Sequence, residues 1–125
     1  MSEQNVNERF DVREAETSVS GIITLELSGQ LDAHTAPIFE RYLEERVRGK
    51  GMKHLVLDFS KLDYISSAGL GVLMGLIEEI RANGGDMRLA SLPDKIYHVL
   101  DLLGFPVVFK IFKTREEAVS SFANG

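Results

Sequence analysis

The sequence predicts a single α/β domain built on a mixed β-sheet of about four to five strands with about four helices, and three observations lead there. Two strand-like segments come first, before any helical one, so an antiparallel pair opens the chain. Short apolar runs then alternate with stretches whose apolar residues recur at helical spacing, which implies parallel strands joined by right-handed crossovers. A length of 125 residues with 44% apolar and 26% charged composition suits one core and leaves no second domain to expect.

Residues 1–9 are polar and read as a flexible N-terminal segment, which leaves 10–122 for the domain. Phe10 to Val19 and Gly21 to Leu27 read as two strands with a turn between them. In the second, Ile23, Leu25 and Leu27 alternate with Thr24, Glu26 and Ser28, the pattern of a half-buried strand. Thr35 is placed to cap a helix with Pro37 in its first turn, where a missing N–H does no harm. Phe39, Tyr42 or Leu43, and Val47 supply its apolar stripe, and Gly49 and Gly51 end it. Leu55-Val56-Leu57 has the character of a buried central strand. A helix from about Ser67 to Ala82 stops at Asn83-Gly84-Gly85, and Met87 to Ala90 forms the next strand. Pro93 opens a helix with Ile96, Val99, Leu100 and Leu103 on its buried face and Gly104 as its stop. Val107 to Phe112 reads as a further strand, and Thr114 with Glu117 as a capping box for a last helix.

Composition narrows the function. The absence of cysteine excludes disulfides and cysteine-rich zinc sites and fits a reducing compartment. Neither a signal peptide nor an apolar stretch of membrane-spanning length is visible, so a cytoplasmic protein without membrane partners is expected. A net charge of −5 with interspersed basic residues offers nucleic acid no basic stripe. Ser66-Ser67-Ala68-Gly69 lacks the leading glycine of a hydrolase nucleophile elbow, and no P-loop or dinucleotide fingerprint occurs. His34, His54 and His98 fall on different predicted elements without ligand spacing, as surface or capping residues do. The chain is expected to be no enzyme and to need no cofactor.

The informative segment is Tyr64-Ile65-Ser66-Ser67-Ala68-Gly69-Leu70-Gly71, where a buried strand gives way to a helix. An anion on Ser66 or Ser67 would meet the amide groups and positive dipole end of that helix. The plainer alternative is an ordinary serine N-cap. Leu70, Leu73, Met74, Leu76, Ile77 and Ile80 share the core-facing side of the helix. Roughly opposite run Ser67, Gly71, Gly75 and Glu78, with Ala68 and Ala82 beside them. Each interior glycine costs about 1 kcal/mol against alanine, so this smooth face calls for a reason. Either a second helix of the same domain packs there or a partner docks there. Asp32, Asp58 and Asp63 are acids that could gather near the head of the helix, as caps and turn formers or as presenters of Ser67.

Leu27-Ser28-Gly29-Gln30-Leu31-Asp32-Ala33-His34-Thr35-Ala36-Pro37, with Leu55-Val56-Leu57-Asp58-Phe59 and Ile65-Ser66-Ser67-Ala68-Gly69-Leu70-Gly71, resembles the STAS domain of bacterial anti-sigma factor antagonists. The resemblance runs over nearly the whole chain, in order. It implies a small protein that binds an anti-sigma factor of histidine-kinase-like ATPase fold and so frees a sigma factor. It further implies that this partner kinase phosphorylates one serine to disarm the antagonist, and that a metal-dependent serine phosphatase restores it. The family's Asp-Ser-Ser-Gly-Leu-Gly pattern puts the acceptor on Ser67 and brings Asp32 into a loop near it. Ser66 stands where many antagonists carry Asp, and Ala68 where they carry a second Ser, so Ser66 is the competing acceptor. The partner-binding set is then Asp32, Ser66, Ser67, Ala68, Gly69, Gly71, Gly75 and Glu78. STAS-like domains also serve as scaffolds or as accessory subunits of signalling or transporter assemblies without reversible phosphorylation. A small-molecule sensor using the helix N-terminus as an anion site is a third reading.

Overall fold

Alternation along the two longest strands sorts their side chains between two unequal faces, and that sorting organises the fold. The computed structural model describes residues 9–17, 19–48 and 53–123. Strands β1 (Phe10–Ala15), β2 (Ile22–Leu31), β3 (His54–Ile65), β4 (Asp86–Ala90) and β5 (Ile111–Phe112) form one sheet in the order β1-β2-β3-β4-β5. The β1–β2 pair is antiparallel, while β2–β3, β3–β4 and β4–β5 are parallel. Helices α1 (Ala36–Arg46), α2 (Ser67–Ala82) and α3 (Asp94–Leu102) connect the parallel strands, and α4 (Arg115–Ala123) follows β5. The mixed five-stranded sheet and four helices agree with the sequence expectation.

On the larger face, Leu25, Leu55, Leu57 and Leu89 are fully buried against Phe39 and Leu43 of α1, Leu73 of α2 and Leu100 of α3. Of the α1 alternatives it is Leu43 that is buried, with Tyr42 half-buried. On the smaller face, α4 lays Ala118 and Val119 over Ile22, Val56 and Ala90. Thr24 is therefore as buried as its neighbours, so β2 is covered on both sides rather than half-buried. The charges under α4 are paired, as burial demands. Asp58 accepts from Arg115 Nε at 3.0 Å, and the same guanidinium binds Glu26. Arg88 is held by Asp86 at 3.0 Å and Ser121 at 2.7 Å and lies 4.0 Å over the Phe122 ring.

Several boundaries differ from the sequence reading for identifiable reasons. The first strand ends at Ala15 rather than Val19, and the second runs on to Leu31 through two register shifts around Ser28 and Gly29. Gly29 has φ +86°, and a Cβ there would lie 2.1 Å from the Arg9 carbonyl oxygen, so only glycine fits this irregularity. The expected strand Val107–Phe112 is instead a 3-10 turn at Phe105–Val107 followed by the two-residue β5. Gly104, with φ +77°, and Pro106 bend the chain here; Phe109 anchors the loop in the core and leaves Val107 outside. Helix α2 ends in a Schellman motif, with Gly85 N–H donating to Ile80 and Gly84 N–H to Arg81. Glu117 N–H donates to Thr114 Oγ1 at 3.1 Å, one of the two bonds of the expected capping box. Gly49 and Gly51, like residues 1–8, lie outside the described residues.

Candidate functional site

Parallel pairing of β2 with β3 opposes Leu31 to Ile65, and so brings the β2–α1 and β3–α2 loops side by side at the carboxyl ends of the strands. The Ser66 N–H donates to the Leu31 carbonyl at 2.9 Å, joining the two loops through the backbone. Gly69 is buried at this junction, where a Cβ would stand 2.7 Å from the Leu31 oxygen. A larger residue would push the loops apart.

The two serines have different environments. Ser66 is the N-cap of α2: its extended backbone precedes the first turn, and its Oγ accepts from the Gly69 N–H at 3.4 Å. Ser67 is the first helical residue, is exposed, and makes no side-chain hydrogen bond among the described residues. Ala68 is exposed beside it.

Behind Ser67, the two faces of α2 separate as the spacing predicts. Leu70, Leu73, Leu76, Ile77 and Ile80 are buried, and Met74 is partly so. Gly71, Gly75 and Glu78 are exposed, and no atom lies within 4 Å of where a Cβ of either glycine would sit. Among the described residues no second helix covers this face, so no described helix accounts for the glycines. From Ser67 to Glu78 it runs roughly 16 Å along the helix at about 1.5 Å per residue.

Asp32 caps the neighbouring loop. Its Oδ1 accepts the His34 and Thr35 amides at 2.9 and 3.1 Å, and its Oδ2 accepts from Arg9 Nη2 at 2.6 Å. Desolvation works to raise the Asp32 pKa, but these amides and the Arg9 guanidinium outweigh it and hold the carboxyl below its usual value. Thr35 precedes α1 as expected, yet its hydroxyl does not cap the helix. It donates to the Gln30 carbonyl at 2.7 Å and accepts the Asp32 N–H at 2.9 Å, fixing the loop instead.

The three acids do not gather. Asp58 lies under α4 with Arg115, and Asp63 is exposed with Lys95 3.9 Å away. The alternation in Leu55–Phe59 accounts for Asp58: Leu57 and Phe59 face α2, so Asp58 must face the other way. His34 and His98 are exposed, and His54 stacks 4.8 Å from the Phe122 ring. No group of three or more metal-binding side chains occurs among the described residues. Arg9 contacts Gln30 and Asp32 beside this loop, a link not legible in the sequence because Arg9 sits in a polar stretch without periodicity.

A family model for the STAS domain matches residues 15–118. The chain belongs to the STAS domain family. The STAS fold places the Ser66–Ser67 head and the Asp32 loop as described. The anti-sigma F factor antagonist of Paenibacillus polymyxa is 28% identical over 100 residues, 80% of this chain and 86% of that protein. The Bordetella bronchiseptica protein BtrV, described provisionally as an anti-sigma factor antagonist, is 33% identical over 104 residues, 83% of this chain and 89% of its own. Among solved structures, the Bacillus anti-sigma factor antagonist SpoIIAA aligns in its unphosphorylated form with TM-score 0.77 at 19% identity, covering 92% of this chain and 98% of that one. Its phosphorylated form aligns with TM-score 0.68 at 20% identity, covering 90% and 99%. Among the described residues of this STAS domain, no helix is long and apolar enough to cross a membrane.

Proposed function

We propose that this STAS protein is an anti-sigma factor antagonist in a partner-switching pathway. Unphosphorylated, it binds an anti-sigma factor serine kinase of histidine-kinase-like ATPase fold; phosphorylated on Ser67, it is released, and a metal-dependent serine phosphatase resets it. The observation that carries this reading is the uncovered Gly71–Gly75 face of α2 with an exposed serine hydroxyl at its head. The names of its relatives support the same role.

The physics gives the switch its direction. Phosphate adds a charge of about −1.5 to −2 where the helix dipole favours an anion, so the fold tolerates it. A partner docked against the glycine face would have to desolvate that charge, and burying an unpaired dianion is expensive. Modification thus breaks the interface while leaving the domain intact. Ser66 is the poorer acceptor, because its Oγ already caps α2 and losing such a cap costs about 1 kcal/mol.

Peptide mass spectrometry of the protein isolated from its own cells tests this reading. Phosphate on Ser67 that varies with growth state is expected. Ser67→Asp should weaken kinase binding and Ser67→Ala should bind constitutively, both melting within a few degrees of wild type. Kinase binding indifferent to both substitutions would remove Ser67 as the switch, and an unmodified protein in a large assembly would favour a scaffold.

A further inference from the structure

We propose that Arg9 is the positioning residue of this docking surface, clamping the β2–α1 loop so that Asp32 stands fixed beside the Ser66–Ser67 head of α2. What docks there rests on the partner-switching reading; how the loop is held rests on contacts of its own.

Arg9 adjoins the start of β1, and its carbonyl accepts the Gln30 N–H at 2.6 Å. Its Nη2 reaches over the end of β2 to Gln30 Oε1 at 3.1 Å and Asp32 Oδ2 at 2.6 Å. With Oδ1 engaged by the His34 and Thr35 amides, the one carboxylate ties the approach to β1 to the turn that opens α1. Gly29 permits this, since any side chain there would collide with the Arg9 carbonyl. On its other flank the same loop is bonded to the helix head through the Leu31 carbonyl and the Ser66 amide. The loop is therefore held between Arg9 on one side and the Ser66 amide on the other.

The Arg9–Asp32 contact is short and charge-assisted, the stronger kind of side-chain hydrogen bond. With the Arg9 side chain half exposed, such a pair adds little to global stability. Its effect falls on the order of the loop, and a loop ordered in advance spares a partner the entropy of ordering it. Losing Arg9 should then weaken docking without slowing the chemistry on Ser67.

Arg9→Ala and Arg9→Lys in the full chain test the clamp. The readouts are amide exchange at His34 and Thr35, NMR titration of Asp32, and steady-state phosphorylation by the Ser67-directed kinase purified from the producing cells. Arg9→Ala should speed exchange at both amides and move the Asp32 midpoint upward. It should also raise KM for this protein about tenfold with kcat nearly unchanged, and leave the melting temperature in place. Arg9→Lys should recover part of each change. Exchange and titration unaltered in Arg9→Ala would overturn the clamp, and a freed loop with unaltered KM would overturn its role in docking. If wild-type protein is never phosphorylated on Ser67, the partner-switching reading falls, while the exchange data still decide whether Arg9 holds the loop.

Discussion

The two long faces of α2 have opposite fates. Leu70, Leu73 and Ile77 lie almost entirely out of water, whereas Gly71 and Gly75, one or two positions away, touch nothing within 4 Å of a would-be Cβ. One face stabilises the fold, and the other leaves a backbone surface open to another molecule. The difference teaches that the packed and open faces of one helix can be altered separately, so substitutions on either side should produce distinct phenotypes.

The largest effect belongs to the buried face. Leu73→Ala should destabilise the domain by about 2–5 kcal/mol, read by chemical denaturation, because it leaves a cavity among fully buried neighbours. A loss under about 1 kcal/mol would mean that this face is not the core side of α2. Next comes the charge beneath α4: Arg115→Met strands the buried Asp58 carboxylate and should cost about 3 kcal/mol. Asp58→Asn with Arg115→Met together should cost less than the sum. Gly69→Ala should lose about 1–3 kcal/mol, since its methyl meets the Leu31 carbonyl, whereas Gly75→Ala should gain up to about 1 kcal/mol. These two glycines, on one helix, thus sharpen the contrast by changing sign.

The smallest effect is on pH dependence. Desolvation raises the Asp86 pKa, but hydrogen bonds from Arg88 and Arg81 prevail and hold it below 3.8. A carboxyl with a depressed folded-state pKa contributes stability that is full above its unfolded value and lost as pH falls through the folded one. Acid unfolding between pH 5 and the low-pH limit should therefore be shallower in Asp86→Asn than in wild type. An identical slope would show that these arginines do not favour the ionised form.

Much of this was legible in the sequence because it depended on local period. Alternation along β2, the apolar run Leu55-Val56-Leu57 and the helical spacing from Leu70 to Ile80 are properties of neighbouring residues, and they marked two strands and the core-facing side of α2. What escaped depended on contacts between distant residues. The apolar letters of Val107–Phe112 suit a strand, but Pro106 and the anchoring of Phe109 make most of it a turn. Asp58 was grouped with Asp32 by chemistry, although its place in the alternation assigns it to the face under α4. Thr35 had the composition of a cap, and only the fold supplies the Gln30 carbonyl its hydroxyl prefers. Arg9 carried no pattern at all; Gln30 and Asp32, which it contacts, are 21 and 23 residues away in the chain.

The most direct measurement is the affinity of Gly71→Leu for the kinase proposed to act on Ser67, by calorimetry, beside its melting temperature. A docking face predicts loss of detectable binding with stability unchanged to within about 1 kcal/mol, since the leucine enters open space. Wild-type affinity in the variant would show that the glycine face is not where the partner binds and would contradict the account.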